Sequence, residues 1–239
     1  MITLRHVTKS FGSFIAVDDL SLDVKPGELF GFLGPNGAGK TTTIKMMAGL
    51  YSPTSGTISI NGYDVQKHPI EAKMIIGYIP DQPFLYEKLT GREFLYFSAG
   101  LYKISHDIAT TRINEFADIF EIGTWIDQRT EYYSQGMRQR IVIVSALLHH
   151  PRALIIDEPM VGLDPRSAHI VKEVFRQKAQ KGITVFMSTH SLPVVEELCT
   201  RIGIIKEGKM IFLDTALVFD AMKLKGDGKF ESLFLELTK

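Results

Sequence analysis

Gly34-Pro35-Asn36-Gly37-Ala38-Gly39-Lys40-Thr41 fits the pattern G-x-x-x-x-G-K-[ST] without a mismatch. On its N-terminal side, Glu28-Leu29-Phe30-Gly31-Phe32-Leu33 is a mostly apolar run of strand length. On its C-terminal side, Thr42 to Ala48 reads as a helix that stops at Gly49. Strand, loop and helix in that order are the context in which this pattern carries chemistry. Glycines at 34, 37 and 39 let the backbone curl until several N–H groups point at one phosphate. The helix start adds the positive end of its dipole. The Lys40 ammonium is then placed to reach the β- and γ-phosphates, and the Thr41 hydroxyl to ligate Mg²⁺. The stretch predicts a nucleoside triphosphate site within an α/β fold.

The totals narrow the partners. A chain of 239 residues is long enough for one large α/β domain or two small lobes. Lys plus Arg and Asp plus Glu are 27 each, and this neutral balance argues against a nucleic-acid binder. The single cysteine, Cys199, excludes an internal disulfide. It lies in the apolar part of Val194-Val195-Glu196-Glu197-Leu198, which predicts a buried thiol and a reducing setting. Met1 to His6 alternates like a strand and carries charges, unlike a leader. The longest apolar run near a motif, Ile141 to Val144 extended to Leu148, falls far short of the roughly 18–20 residues that cross a bilayer. If the protein works at a membrane, a partner does the spanning.

Along the chain, Ile2-Thr3-Leu4-Arg5-His6-Val7 and Leu20-Ser21-Leu22-Asp23-Val24 alternate apolar and polar, as antiparallel strands do. Phe11, in Thr8-Lys9-Ser10-Phe11-Gly12, is an aromatic in a polar turn that either stacks on a base or tucks into the sheet. Asn61-Gly62 is a tight-turn signal. The strand Ile75 to Ile79 runs into Pro80-Asp81-Gln82-Pro83, where two prolines enforce an extended loop. From Thr90 the texture is helical. Thr90-Gly91-Arg92-Glu93 fits a capping box, and further helices are expected over Asp107–Glu121 and Ser134–His149. His149 and His150 are expected to cap the last helix dipole. Residues 87–150 thus read as a helical lobe inserted into an α/β core made of 1–86 and 151–213. Two short helices, broken at Gly226-Asp227-Gly228, are expected within 214–239.

Two further signals sit downstream. Ala153-Leu154-Ile155-Ile156 leads into Asp157-Glu158, an acidic pair at the carboxyl end of a buried strand, where open α/β sheets bind ligands. Beside a phosphate loop, Asp157 suits a Mg²⁺ ligand and Glu158 a group that polarises an attacking water. The buried run Ile183 to Met187 ends in Ser188-Thr189-His190, which places His190 near the same edge. A γ-phosphate contact is expected of it.

Tyr133-Ser134-Gln135-Gly136-Met137-Arg138-Gln139-Arg140 resembles the signature of ATP-binding-cassette (ABC) ATPases, LSGGQ followed by x-Q-R. With it, the chain falls into register with that family from the first strand to at least Leu213. The resemblance implies a P-loop NTPase (RecA-like) core, an N-terminal antiparallel β subdomain and an inserted helical subdomain. It implies that Phe11 stacks on adenine and that Gly34, Pro35, Asn36, Gly37, Ala38, Gly39, Lys40, Thr41 and Thr42 hold the phosphates of ATP. Glu158 becomes the catalytic base, His190 an organiser of the γ-phosphate, and Gly162-Leu163-Asp164 a loop communicating between sites. Ser134 and Gly136 become contacts to the γ-phosphate of a facing subunit, so two cassettes, identical or related, pair head to tail around two MgATP. Transmembrane permease subunits are the implied partners, at the cytoplasmic face of the cell membrane.

Departures from the family pattern carry information too. Gln135 and Met137 replace the usual glycine and glutamine of the signature, while Ser134 and Gly136 are kept. After Ile79 the family usually places a glutamine. Here Asp81 aligns with it and Gln82 follows, and either side chain offers oxygen to Mg²⁺ or to a water. Asp81, and the lack of a regulatory C-terminal domain, resemble the bacterial exporter branch. A soluble cassette ATPase acting on ribosome or DNA is the alternative. Such relatives carry two cassettes or a long coiled-coil insertion, which Pro83 to Tyr133 is too short to supply. A small-molecule kinase would leave Ser134 and His190 without a role.

Overall fold

The computed structural model describes residues 1–215 and Phe234. In chain order the elements are β1 (Ile2–Phe11), β2 (Phe14–Val24), β3 (Leu29–Leu33), α1 (Lys40–Met47), β4 (Ser55–Ile60), β5 (Tyr63–Asp64), α2 (Pro69–Met74) and β6 (Ile76–Ile79). Three helices follow, α3 (Gly91–Leu101), α4 (His106–Ile119) and α5 (Gln135–Leu147). The chain then resumes alternation with β7 (Ala153–Asp157), α6 (Pro165–Gln180), β8 (Thr184–Ser188), α7 (Leu192–Leu198), β9 (Arg201–Lys206) and β10 (Lys209–Thr215). The helices expected within 214–239 lie outside the described residues, apart from Asp214 and Thr215, which end β10, and Phe234.

Two sheets form. The N-terminal one is antiparallel, in the order β2-β1-β4-β5. Its strands alternate as their sequences do, burying Ile2, Leu4 and Val7 from β1 and Leu20, Leu22 and Val24 from β2. Asn61 and Gly62 both take positive φ (50° and 89°), the two-residue turn that joins β4 to β5. The second sheet has the order β10-β9-β3-β8-β7-β6 and is parallel except for β10. Strands β3, β7 and β8 are buried at every residue, because helices or the first sheet cover both faces. One face packs Phe30, Phe32, Phe186 and Ile155 against α1 and the antiparallel sheet. The other packs Leu29, Leu33, Leu154, Ile156 and Met187 under α5, α6 and α7.

The registers bring the functional strand ends together. Asp157 on β7 faces Ser188 on β8, and β3, which feeds the phosphate loop, runs parallel between β8 and β9. Helix α3 begins with the complete capping box, in which the Thr90 hydroxyl accepts from Glu93 N and the Glu93 carboxylate accepts from Thr90 N.

One expectation is overturned. His149 lies past the end of α5, its ring stacked on Tyr102 with centroids 3.7 Å apart. Its Nε2 donates to Ile76 O at 3.0 Å. Burial pushes its pKa down to about 4, so near neutral pH it carries no charge with which to cap a dipole. His150 is shifted down as well, again first by burial. The thiol of Cys199 behaves as expected: it is buried, and burial pushes its pKa up to about 12.

Candidate functional site

A cleft of about 410 Å³ opens at the carboxyl ends of β3, β7 and β8. It is lined by Asn36, Gly37, Gly39, Lys40, Thr41 and Thr42 from the loop, and by Asp81, Asp157, Glu158 and His190 opposite, with Phe14 and Ala16 also on the wall. Gly39 shows why the loop needs glycine. Its φ is 109°, and a Cβ there would lie 2.4 Å from the Ala16 carbonyl oxygen.

Lys40 is buried, and its ammonium donates to the carbonyls of Gly34 (2.7 Å) and Pro35 (3.0 Å). Burial lowers its pKa, and the negative charges of Glu158 and Asp157 push it back up. The cation shares the cleft with both carboxylates. Asp157 is fully buried. One carboxylate oxygen accepts from the Ser188 hydroxyl, and the other has no partner. Burial raises its pKa, and the hydroxyls of Ser188 and Thr41 pull it back. An orphaned buried oxygen costs roughly 1–3 kcal/mol, a cost that a cation bound there removes. The donors around it, Thr41, Asp157 and Asp81, are all oxygen, the chemistry Mg²⁺ selects. The site fits that ion, which needs only one or two carboxylates when substrate phosphates complete its shell.

Glu158 takes φ 49°, an uncommon backbone for a non-glycine residue, and its N–H donates to Ser188 O at 3.2 Å. The next carboxylate after Asp157 is thereby turned out toward the cleft. His190 Nδ1 lies 2.8 Å from Glu158 Oε1. A carboxylate and an imidazole are thus paired at the edge where a terminal phosphate would lie.

The remaining expected residues divide between the cleft and its surroundings. Asp81 lines the cleft and Gln82, beside it, does not. Phe11 ends β1, meets Tyr51 edge-on at 5.7 Å and lies 4.9 Å from the Lys9 ammonium. Phe14, its cross-strand partner in the hairpin, is the aromatic that lines the cleft. The turn pair Gly12-Ser13 was the available signal, since a hairpin there sets residues 11 and 14 side by side. Ser134 and Gly136 sit at the start of α5 and Asp164 at the start of α6, none of them lining this cleft. Ser134 caps its own helix by accepting from Met137 N, and Asp164 does so by accepting from Ser167 N. Sequence reasoning missed Phe14, Ala16 and Ser188.

A sequence model described as ABC transporter matches residues 17–161, a span that holds the phosphate loop, Ser134 to Arg140 and the acidic pair. The chain belongs to the ABC transporter family. A curated member, the linearmycin resistance ATP-binding protein LnrL of Bacillus subtilis (strain 168), is 40% identical over 90% of this chain and 69% of its own length. A solved ATP-binding subunit of an ABC transporter superposes with a TM-score of 0.92 at 33% identity, covering 100% of both chains. The ATP-binding cassette MJ0796, solved as a dimer in a post-hydrolysis state bound to ADP and Pi, gives 0.82 at 25% identity. It covers 90% of this chain and 99% of that one. As a member of the family, the protein is an ATP-binding, ATP-hydrolysing subunit with the expected α/β P-loop fold. Among the described residues, no helix is long and apolar enough to cross a membrane.

Proposed function

We propose that two copies of this chain, or one copy and a related subunit, close head to tail around two MgATP and drive export through transmembrane permease subunits. The observation that carries this reading is the division of the site. Lys40, Asp157, Glu158 and His190 line one cleft, while Ser134 and Gly136 begin a helix outside it. A helix N-terminus with a serine hydroxyl is an anion site, and here it has no phosphate within its own chain to serve. A second chain supplies one.

Within each site the loop from Gly34 to Thr42 cradles the phosphates, and Lys40 neutralises the β- and γ-phosphates. Thr41, Asp157 and Asp81 would hold Mg²⁺, which would supply positive charge against the charge that develops on the phosphates. Glu158 orients and polarises the attacking water, and His190 holds that carboxylate while reaching the γ-phosphate. Phe11 and Phe14, paired across one hairpin, offer aromatic surface to the base. Asp164 fixes the loop that follows Glu158. Gln82 is left to the surface.

Closure follows from differential binding, since only the closed pair offers Ser134 to the γ-phosphate. An exposed aromatic group, Phe84, Tyr86 and Phe97, lies just beyond Asp81, with Tyr86 5.7 Å and 5.5 Å from the other two rings. This patch suits a permease segment at the cytoplasmic face of the membrane, next to a residue that lines the ATP cleft. The resistance named in the LnrL description supports outward transport.

Glu158→Gln tests the reading. The variant should bind MgATP and elute as a stable dimer that hydrolyses at least a hundredfold more slowly than the native chain. Hydrolysis at the native rate, or a monomer saturated with ATP, would contradict it.

A further inference from the structure

Another cleft, of about 420 Å³, lies at the amino ends of β7 and β8, the opposite end of the sheet from the ATP site. Helix α4 of the inserted lobe forms one wall. Helix α6 and Ile183, the residue before β8, form the other, and His150, just before β7, closes it. Its lining is apolar in part: Phe116 and Val174 are buried, and Ile119 and Ile183 extend the same surface.

The charges on the lining do not cancel. Lys178 and Lys181 stand against one carboxylate, Glu115. Burial lowers the pKa of His150, which is therefore neutral near pH 7. Among the described residues, neither lysine ammonium has a hydrogen bond or an ion pair, and that of Lys178 sits 5.5 Å from the centroid of the Phe116 ring. Water satisfies an exposed lysine, but Lys178 is half-buried. Burial lowers its pKa, the charges of Lys181 and Arg112 lower it further, and Glu115 offsets only part of this. An anion bound there removes the imbalance.

We propose that this cleft binds a small amphipathic monocarboxylate, its acid group between Lys178 and Lys181 and its hydrocarbon body on Phe116, Ile119 and Val174. Ligand sites combine an apolar lining with a few polar groups that orient one head, and they start at about 300 Å³. A monoanion matches two ammoniums and one carboxylate better than a dianion does. The bound acid would join the helical lobe to the core, because α4 and α6 hold it from opposite sides. The site is complete within one chain, so it does not depend on how two chains meet.

Titration calorimetry of the full chain with octanoate tests this. One octanoate should bind per chain with a Kd below about 1 mM, and acetate and octanol should bind at least about tenfold more weakly. Lys178→Gln should weaken octanoate at least about tenfold, whereas Glu115→Gln, which removes the opposing charge, should tighten it about twofold or more. Thermal unfolding checks that each variant is folded. If Lys178→Gln is not, Ile119→Asn takes its place: it changes a residue that is 48% exposed and should weaken octanoate about threefold or more. Lys40→Ala should bind octanoate as the native chain does. Absence of binding, equal binding of octanol, or native affinity in the folded Lys178 or Ile119 variant would overturn the proposal. So would loss of binding in Lys40→Ala, which would put the acid in the phosphate loop.

Discussion

His190 Nδ1 lies 2.8 Å from Glu158 Oε1, although the residues are 32 apart in sequence and follow different strands. The contact arises because β7 and β8 are parallel neighbours that end in register, Asp157 opposite Ser188. An imidazole that fixes a carboxylate's orientation acts on the chemical step more than on binding. His190→Ala should therefore lower kcat by roughly 10²- to 10⁴-fold, the usual worth of a positioned acid–base group. The Kd for ATP should change little. A parallel loss of affinity would place His190 on the nucleotide alone.

Lys40 tests the other wall of the cleft. Its ammonium shares the cleft with Asp157 and Glu158 and is held by the Gly34 and Pro35 carbonyls. A charge-assisted hydrogen bond contributes roughly 1.5–3 kcal/mol, so Lys40→Ala should raise the Kd for ATP by roughly 10- to 150-fold. Equilibrium binding of a fluorescent ATP analogue measures this directly. Unchanged affinity would move the triphosphate out of the loop.

Asp157 carries the unpartnered oxygen, so its replacement should appear as a changed metal requirement. Asp157→Asn keeps the shape and an acceptor for the Ser188 hydroxyl. The half-saturating Mg²⁺ concentration for hydrolysis should rise by about tenfold or more, a loss of at least about 1.4 kcal/mol. Chelation of Mg²⁺ should abolish turnover of the native chain. An unchanged Mg²⁺ titration would assign the ion to other ligands.

His149 gives a prediction about stability rather than activity. The unfolded chain protonates this residue near pH 6.5, whereas the fold holds it neutral down to about 4. Between those values the unfolded state binds the extra proton. Stability is therefore fully present above about pH 6.5 and falls as pH drops toward 4, by at most roughly 1.4 kcal/mol per unit from this group. His149→Phe keeps a ring against Tyr102 and cannot be protonated. Chemical denaturation at pH 7 and pH 4.5 should show a smaller loss for the variant than for the native chain. Equal losses would mean that His149 is not held neutral.

The sequence was most legible where one short stretch dictates one backbone. The phosphate loop, the acidic pair after Ile156 and the capping box at Thr90 are of that kind, because residue type and local geometry are tied within a few positions. Buried strands were legible for the same reason: Leu29 to Leu33 can be apolar throughout only where both sheet faces are covered. What stayed hidden depended on packing across the chain. Asp81 and Gln82 are chemically alike as oxygen donors, and only the path of the extended loop puts the first in the cleft. His149 looked like a helix-end cation until the Tyr102 ring and the Ile76 carbonyl were brought against it. Gln135 read only as a departure in a signature, and its packing over Gly162 depends on how α5 meets the loop after Glu158.

The central claim is that each ATP is gripped by Lys40 of one chain and Ser134 of another. In the Glu158→Gln background, one chain carries Asn36→Cys and a second Ser134→Cys, the buried Cys199 thiol staying out of reach of oxidant. Mixed and mildly oxidised with MgATP, the two should form a disulfide-linked heterodimer, and neither chain alone should cross-link. Cross-linking between two Asn36→Cys chains, or none from a mixture that dimerises with ATP, would contradict the split site.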